Sequence, residues 1–113
     1  MDIVIGVDIG GTKTKIGLVD QNGECLEKTF FRTRDFPNLN DYLNKIKSTS
    51  DELINKMGKE VNVLGCGIGA PNASSKNGTI ENASNLIWKD SVPILEKLQE
   101  RMPMPMRIMN DAS

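Results

Sequence analysis

The chain has 113 residues, of which 38% are hydrophobic and 26% are charged, and its formal net charge is −1. This is the composition of one globular domain, and 14 basic against 15 acidic residues leave no cationic surplus for a nucleic-acid backbone. No apolar run is long enough to span a membrane. Two cysteines do not make a disulfide framework, and a chain without histidine has no histidine site. From these observations together we expect a reduced, cytoplasmic protein without nucleic-acid or membrane partners.

The first third of the chain predicts three consecutive strands. Ile3–Val7 is short, apolar and rich in β-branched residues, as in a strand buried on both faces. Lys13–Val19 alternates between the two faces of a strand, and Glu24–Arg32 carries the charges of an edge strand. Residues 20–23 contain Asn-Gly, which favours a primed hairpin turn with positive φ angles.

A helix follows this meander. Leucine, isoleucine and methionine residues recur at helical spacing from Leu39 to Met57. Asn38 or Asn40 can cap the start of the helix, and Gly58 can provide the left-handed residue after its end. The pattern therefore predicts one amphipathic helix that covers the meander.

The remainder of the chain predicts a fourth strand over 61–69 and a long loop rich in Asn, Ser and Gly over 70–89. A second helix follows, capped by Asp90 or Ser91, and residues 106–109 predict the last strand. The order β-β-β-α-β-α-β predicts an α/β fold with a mixed five-stranded sheet and helices on its faces.

The segment most informative about chemistry is the connection between the first two strands, Asp8-Ile9-Gly10-Gly11-Thr12-Lys13. Adjacent glycines let backbone N–H groups approach an anion, Thr12 adds a hydroxyl donor, and Asp8 is placed to hold Mg²⁺ directly or through water. It is not a Walker loop, because Thr-Lys replaces Lys-Ser/Thr and a strand follows instead of a helix. An ordinary glycine hairpin is the alternative interpretation.

Polar residues after the fourth and last strands are candidates for binding an alcohol substrate. Asp111 lies just past a buried strand, where open α/β sheets place ligand groups, and it could accept a proton from an attacking hydroxyl. Its neighbour Asn110 could hydrogen-bond a polyol, as could Asn72, Ser84 and Asn85 in the long loop. The alternatives are a helix N-cap for Asp111 and a solvated loop for the others.

Four segments in order resemble the motifs of the ROK family of sugar kinases and related repressors: residues 5–13, 67–72, 85–88 and 110–112. The resemblance implies an actin-like (ribonuclease H-like) ATPase fold, in which two halves close over nucleotide and sugar. It further implies that Asp111 is the catalytic base, that Asn110 binds sugar, and that Gly10, Gly11, Thr12 and Lys13 contact ATP phosphate.

The resemblance covers only the first half of such a kinase. It implies that residues 1–113 form the N-terminal domain of an ATP- and Mg²⁺-dependent, glucokinase-like hexose kinase, a homo-oligomer in its full-length form. The alternatives are an N-acetylmannosamine or fructose kinase, or a non-catalytic sugar sensor. The family's Glu-x-Gly-His motif, zinc site and adenosine pocket would lie beyond Ser113. Because the chain begins directly on the first strand, we expect an enzyme rather than a helix-turn-helix repressor.

Overall fold

A three-stranded antiparallel meander opens the chain. The structure, a computed structural model, describes residues 1–58, 60–81 and 91–110. The meander comprises β1 (Asp2–Ile9), β2 (Lys13–Val19) and β3 (Cys25–Arg32). Alternate side chains of β1 and β2 are buried, because successive residues of a strand point to opposite faces and only one face carries the core. The predicted meander is confirmed, but the prediction that the first strand is buried on both faces was wrong, because Val4 is exposed and only alternate residues of β1 are buried.

The turn between β2 and β3 differs from the predicted primed turn. Gly23 has a φ of +81°, but Asn22 does not take a left-handed conformation. The carboxylate of Asp20 instead accepts hydrogen bonds from the backbone N–H groups of Asn22 (2.9 Å) and Glu24 (3.0 Å). The strand register shifts next to this turn, as in a longer hairpin loop with a bulge. The Asp20 side chain therefore decides the turn type.

The predicted first helix is α1 (Leu39–Lys56). The side chain of Asn38 caps it by accepting a hydrogen bond from the N–H of Asp41, at 3.2 Å. Gly58 follows its end with a φ of +65°, the conformation that glycine adopts without a Cβ clash. One face of α1 is buried against the sheet: Tyr42, Leu43, Ile46, Thr49, Ser50 and Leu53.

The second half of the chain contains more structure than predicted. Its described elements are β4 (Asn62–Ala70), β5 (Ala73–Ser74), β6 (Thr79–Ile80), α2 (Ile94–Arg101) and β7 (Met106–Asn110). The prediction of a loop over 70–89 was wrong for residues 73–80, because β5 and β6 pair there as a small hairpin, and residues 82–89 lie outside the described residues. Ser91 does not cap α2, which begins after Pro93 without a side-chain cap, and Asp90 lies outside the described residues.

The main sheet has five strands in the order β3-β2-β1-β4-β7. The pairs β3–β2 and β2–β1 are antiparallel, whereas β1–β4 and β4–β7 are parallel. The predicted mixed five-stranded sheet is thus confirmed. The two helices contact each other, and α1 packs on β2 while α2 packs on β7, so both lie on one face. The carboxyl ends of β1, β4 and β7 meet at a single edge.

One hydrophobic cluster joins the helices to this face of the sheet. Cys66 of β4 belongs to it and is only 4% exposed, as expected for a cysteine that acts as a small hydrophobic residue. Burial raises the pKa of the Cys66 thiol to about 12. Among the described residues, no helix is both long enough and apolar enough to cross a membrane.

The raised pKa of Cys66 predicts a loss of stability in alkali. Above about pH 8.5 the thiol ionises in the unfolded chain but stays protonated in the fold, so the unfolding free energy falls as pH rises towards 12. The contribution at pH 10 is about 2 kcal/mol. Urea unfolding followed by circular dichroism at pH 7 and pH 10 should show a smaller loss for Cys66→Ala than for the parent.

Cys25→Ala is the matched control, because Cys25 is exposed to solvent. This variant should lose as much stability between the two pH values as the parent does. Equal losses in Cys66→Ala and the parent would show that Cys66 does not contribute to the alkaline effect.

Candidate active site

The parallel register brings the ends of three strands together. Asp8 of β1 pairs with Gly69 of β4, and Asn110 of β7 pairs with Ala70. Since neighbouring strands lie about 4.8 Å apart, Asp8 and Asn110 are separated by roughly 10 Å across β4. Asn72 follows the end of β4 at the same edge. Three of the predicted site residues therefore surround one edge of the sheet.

The glycine turn (residues 10–13) leads from this edge into β2. The N–H of Gly10 donates to the carbonyl of Lys13 at 2.9 Å and closes the turn. A Cβ on residue 10 would lie only 2.8 Å from that carbonyl oxygen, so Gly10 is required by a close backbone approach. Neither glycine of the turn has a positive φ. The N–H of Gly10 is thus committed to the turn itself.

The next two N–H groups of the turn remain available. In the described part of the chain, the backbone N–H groups of Gly11 and Thr12 have no hydrogen-bond acceptor. Thr12 is exposed and Gly11 is half-buried, so both groups can meet a ligand. Adjacent backbone N–H donors of this kind bind anions.

Lys13 points along the exposed face of the hairpin. Its ammonium group lies 4.6 Å from the centroid of the Phe30 ring on β3, within the range of a cation–π contact. The Lys13 charge is therefore close to the glycine turn but is held on the neighbouring strand.

Three buried hydroxyl groups lie beneath the glycine turn, and no sequence pattern predicted this group. Thr14 Oγ1 lies 2.8 Å from both Thr33 Oγ1 and the Tyr42 hydroxyl. Thr33 donates to the carbonyl of Gly10 at 2.7 Å, and its N–H donates to the carbonyl of Thr12 at 3.0 Å. The one signal for this group in the sequence is a threonine on the apolar face of β2.

Asp8 is exposed at the end of β1, beside the glycine turn. Its Oδ1 lies 3.8 Å from the position that a Cβ on Gly69 would take, so the carboxylate extends over β4. No group of three or more His, Cys, Asp or Glu residues forms a metal cluster among the described residues. Proteins commonly hold Mg²⁺ through one or two carboxylates together with substrate phosphates, and Asp8 fits that arrangement.

Asn72 occupies a strained position between β4 and β5. Its φ is +53°, a left-handed conformation that asparagine tolerates better than most residues. Its carbonyl accepts a hydrogen bond from the N–H of Glu81 at 3.0 Å. The strand that follows, β5, lies against β7, so the hairpin is held near Asn110. The backbone thus fixes where Asn72 stands.

Three predicted site residues lie outside the described residues: Ser84, Asn85 and Asp111. The backbone is fixed on both sides of the first two, because Ile80 and Val92 exchange two hydrogen bonds of 2.8 and 2.9 Å. Asn110, which directly precedes Asp111, is exposed at the end of β7.

The family model for the ROK family matches residues 4–113. The chain belongs to the ROK family. The fold class predicted from the resemblance, the actin-like (ribonuclease H-like) α/β architecture, is confirmed by the mixed sheet and by its similarity to a ROK glucokinase structure.

Two curated relatives match nearly all of this ROK chain. A glucokinase of Streptomyces coelicolor is 32% identical over 113 residues, which are 100% of this chain and 34% of the relative. An N-acetyl-D-glucosamine kinase of Histophilus somni is 32% identical over 96% of this chain and 34% of its own length. The chain therefore spans about a third of the length of the curated relatives it matches.

A solved structure gives the same correspondence. The crystal structure of a ROK family glucokinase from Streptomyces griseus, in complex with glucose and AMPPNP, is 31% identical to this chain. The TM-score is 0.76, over 97% of this chain and 33% of that one.

The left-handed backbone of Asn72 allows its conformational and chemical roles to be separated. Asn72→Gly keeps the left-handed backbone conformation and removes the amide, so we expect unchanged stability. Asn72→Ala should lose about 1 kcal/mol of unfolding free energy, because alanine is strained at this φ. Thermal unfolding would measure both variants, and an equal loss in the two would show that stability depends on the amide and not on the backbone conformation.

Proposed function

We propose that this ROK chain is the N-terminal domain of an ATP-dependent hexose kinase that acts on glucose. The observation that carries the proposal is the pair of N–H groups at Gly11 and Thr12, which have no acceptor among the residues that the structure describes and lie in the turn that follows Asp8. Backbone donors and a carboxylate at the carboxyl edge of a parallel sheet suit a nucleotide phosphate with its Mg²⁺. The kinases named among the relatives support the same interpretation.

Asp111 is the proposed catalytic base. In the sequence it directly follows Asn110, and Asn110 lies at the edge of the sheet that also carries Asp8. The carboxylate of Asp111 takes the proton from the primary hydroxyl of the sugar as that oxygen attacks the γ-phosphorus, and ADP leaves in line. Little covalent chemistry falls to the protein, so catalysis rests on positioning and on stabilising phosphate charge.

Backbone N–H groups, the Lys13 ammonium and a Mg²⁺ ion would balance the negative charge of the phosphates. The N–H groups of Gly11 and Thr12 donate to phosphate oxygens, and the Lys13 ammonium adds positive charge nearby. Asp8 would hold Mg²⁺ directly or through water, and the ion, when bound, would neutralise charge on the β- and γ-phosphate oxygens.

Neutral polar side chains would bind the sugar. Asn72 and Asn110 lie at the same edge of the sheet, and Ser84 and Asn85 complete the proposed set. Amide and hydroxyl groups both donate and accept hydrogen bonds, as sugar hydroxyls require. A coupled assay of the full-length protein with glucose, N-acetylglucosamine, N-acetylmannosamine and fructose would identify the sugar. Sugar binding without turnover of any of these would instead support the sensor alternative.

Replacement of the proposed base tests its role directly. In the full-length protein, Asp111→Asn should lower kcat at least about 100-fold with little change in sugar affinity, because the amide keeps a hydrogen bond but does not accept the proton. Stopped-time kinase assays and calorimetry with glucose would measure the two quantities. Asn110→Asp is the comparison variant, because it should weaken sugar binding more than it lowers kcat. A near-normal kcat in Asp111→Asn would leave Asp111 with a structural role only.

The 113 residues by themselves should be inactive. A kinase of this kind closes two halves around its ligands, which excludes water and holds the nucleotide, and the chain supplies one half. We expect no sugar phosphorylation and glucose binding no tighter than about 1 mM, since each missing polar contact is worth on the order of 1 kcal/mol. Turnover that scales with the concentration of the purified chain and disappears in its Asp111→Asn variant would contradict this.

A further inference from the structure

A buried row of three hydroxyl groups, here called the hydroxyl chain (Tyr42, Thr14 and Thr33), connects α1 to the glycine turn. Tyr42 comes from α1, Thr14 from β2, and Thr33 from the single-turn 3₁₀ helix after β3. All three residues have relative exposures of 0%. The last hydrogen bond of the hydroxyl chain runs from Thr33 Oγ1 to the carbonyl oxygen of Gly10, at 2.7 Å.

The direction of every hydrogen bond in this row follows from proton counting. A carbonyl oxygen only accepts, so the Thr33 hydroxyl must donate its one proton to Gly10. Thr33 then accepts from Thr14, and Thr14, having given its proton, accepts from Tyr42. Each hydroxyl therefore donates to the next group: Tyr42 to Thr14, Thr14 to Thr33, and Thr33 to the Gly10 carbonyl. Only this arrangement of protons satisfies all three hydrogen bonds.

Thr33 is attached to the glycine turn at two points. Its hydroxyl holds the carbonyl of Gly10, and its N–H holds the carbonyl of Thr12 at 3.0 Å. The peptide N–H of Gly11 belongs to the same planar unit as the Gly10 carbonyl, so fixing that carbonyl fixes the direction of the N–H. One residue therefore orients the peptide units 10–11 and 12–13, which flank the Gly11–Thr12 peptide.

We propose that Thr33 is the positioning residue of the phosphate site: it aims the Gly11 N–H at the nucleotide, and Tyr42 and Thr14 lock its hydroxyl in the donating orientation. This inference rests on the proposed phosphate-binding role of the glycine turn and adds a residue that does not itself touch the ligand. Aligned hydroxyl groups in a buried site polarise one another, which strengthens the last bond to Gly10.

Tyr42, the first donor of the hydroxyl chain, keeps its proton near neutral pH. Burial raises the pKa of Tyr42 well above its usual value, and the negative charge of Asp8 raises it further, against the opposing effect of the Thr14 hydrogen bond. Tyr42 therefore stays protonated over the working range of any assay near neutral pH.

The chain offers a matched control for testing Thr33. Thr49 of α1 is 4% exposed, and its Oγ1 has no hydrogen-bond partner within the described residues. Thr33→Val and Thr49→Val thus make the same chemical change at two buried sites, and only the first removes a bond to the glycine turn. Thr33→Ser retains the hydroxyl and serves as the conservative rescue.

The experiment uses the full-length protein, with KM for ATP, KM for glucose, and calorimetric affinity for MgAMPPNP as readouts. Thr33→Val should raise the ATP KM and the AMPPNP dissociation constant at least about fivefold and leave the glucose KM within twofold. Thr49→Val should match the parent, and Thr33→Ser should recover to within about twofold. Tyr42→Phe, which keeps the ring and the last two bonds, should give a smaller rise of about two- to threefold in the ATP KM.

Three results would overturn the proposal. The first is an unchanged ATP KM and AMPPNP affinity in Thr33→Val, or in Tyr42→Phe if Thr33→Val does not fold. The second is an equal rise in the KM values of both substrates, which indicates general loss of structure. The third is a parent protein that does not bind AMPPNP, because there is then no phosphate site to position.

The proposed kinase function and the proposed positioning role of Thr33 are tested by different measurements. A parent protein that binds AMPPNP but phosphorylates none of the hexoses would refute the kinase. The effect of Thr33→Val on AMPPNP affinity would still decide the positioning role.

Discussion

The parallel pairing of β1 with β4 is the constraint on which the rest of the structure depends. β1 is bonded on both sides, to β2 in the antiparallel and to β4 in the parallel direction, so it links the meander to the second half of the chain. Its register sets Asp8 beside Gly69, and the next pairing sets Asn110 beside Ala70. A slip of one residue would exchange the faces of β1 and bury Asp8 in place of Ile9. Core packing and site geometry are therefore fixed by the same hydrogen bonds.

Close backbone approach, rather than unusual backbone angles, explains the glycines that matter most. Gly10 admits the carbonyl of Lys13, and Gly65 admits the carbonyl of Pro105, which a Cβ would meet at 2.9 Å. The second contact lets the N–H of Cys66 bond to Pro105 where β7 begins. Both glycines allow chain segments to approach more closely than any side chain would permit. One closes the glycine turn, and the other joins β7 to the sheet.

The hydroxyl chain shows how a buried polar group can serve a surface site. Tyr42, Thr14 and Thr33 are expensive to bury unless each hydroxyl is satisfied, and here each one is. Thr49 is also buried, and its hydroxyl has no partner among the described residues, so α1 does not satisfy there every hydroxyl that it buries. The cost of burying the three hydroxyls is offset only when α1, β2 and the 3₁₀ helix all dock correctly. The glycine turn is thereby attached to the folded core by hydrogen bonds.

Elements whose signal is local can be predicted from the amino-acid pattern alone. Alternation predicted β2 over Lys13–Val19, and helical spacing and caps predicted α1. The order of the elements predicted the mixed sheet, and four ordered motifs indicated the family. Tertiary structure decided the rest. The turn after β2 follows the Asp20 side chain rather than Asn-Gly, β5 and β6 form where a loop was predicted, and Thr33 meets Gly10 across 23 positions of sequence. Local patterns report which face of an element is apolar, but hydrogen bonds between distant residues exist only after the sheet has brought them together.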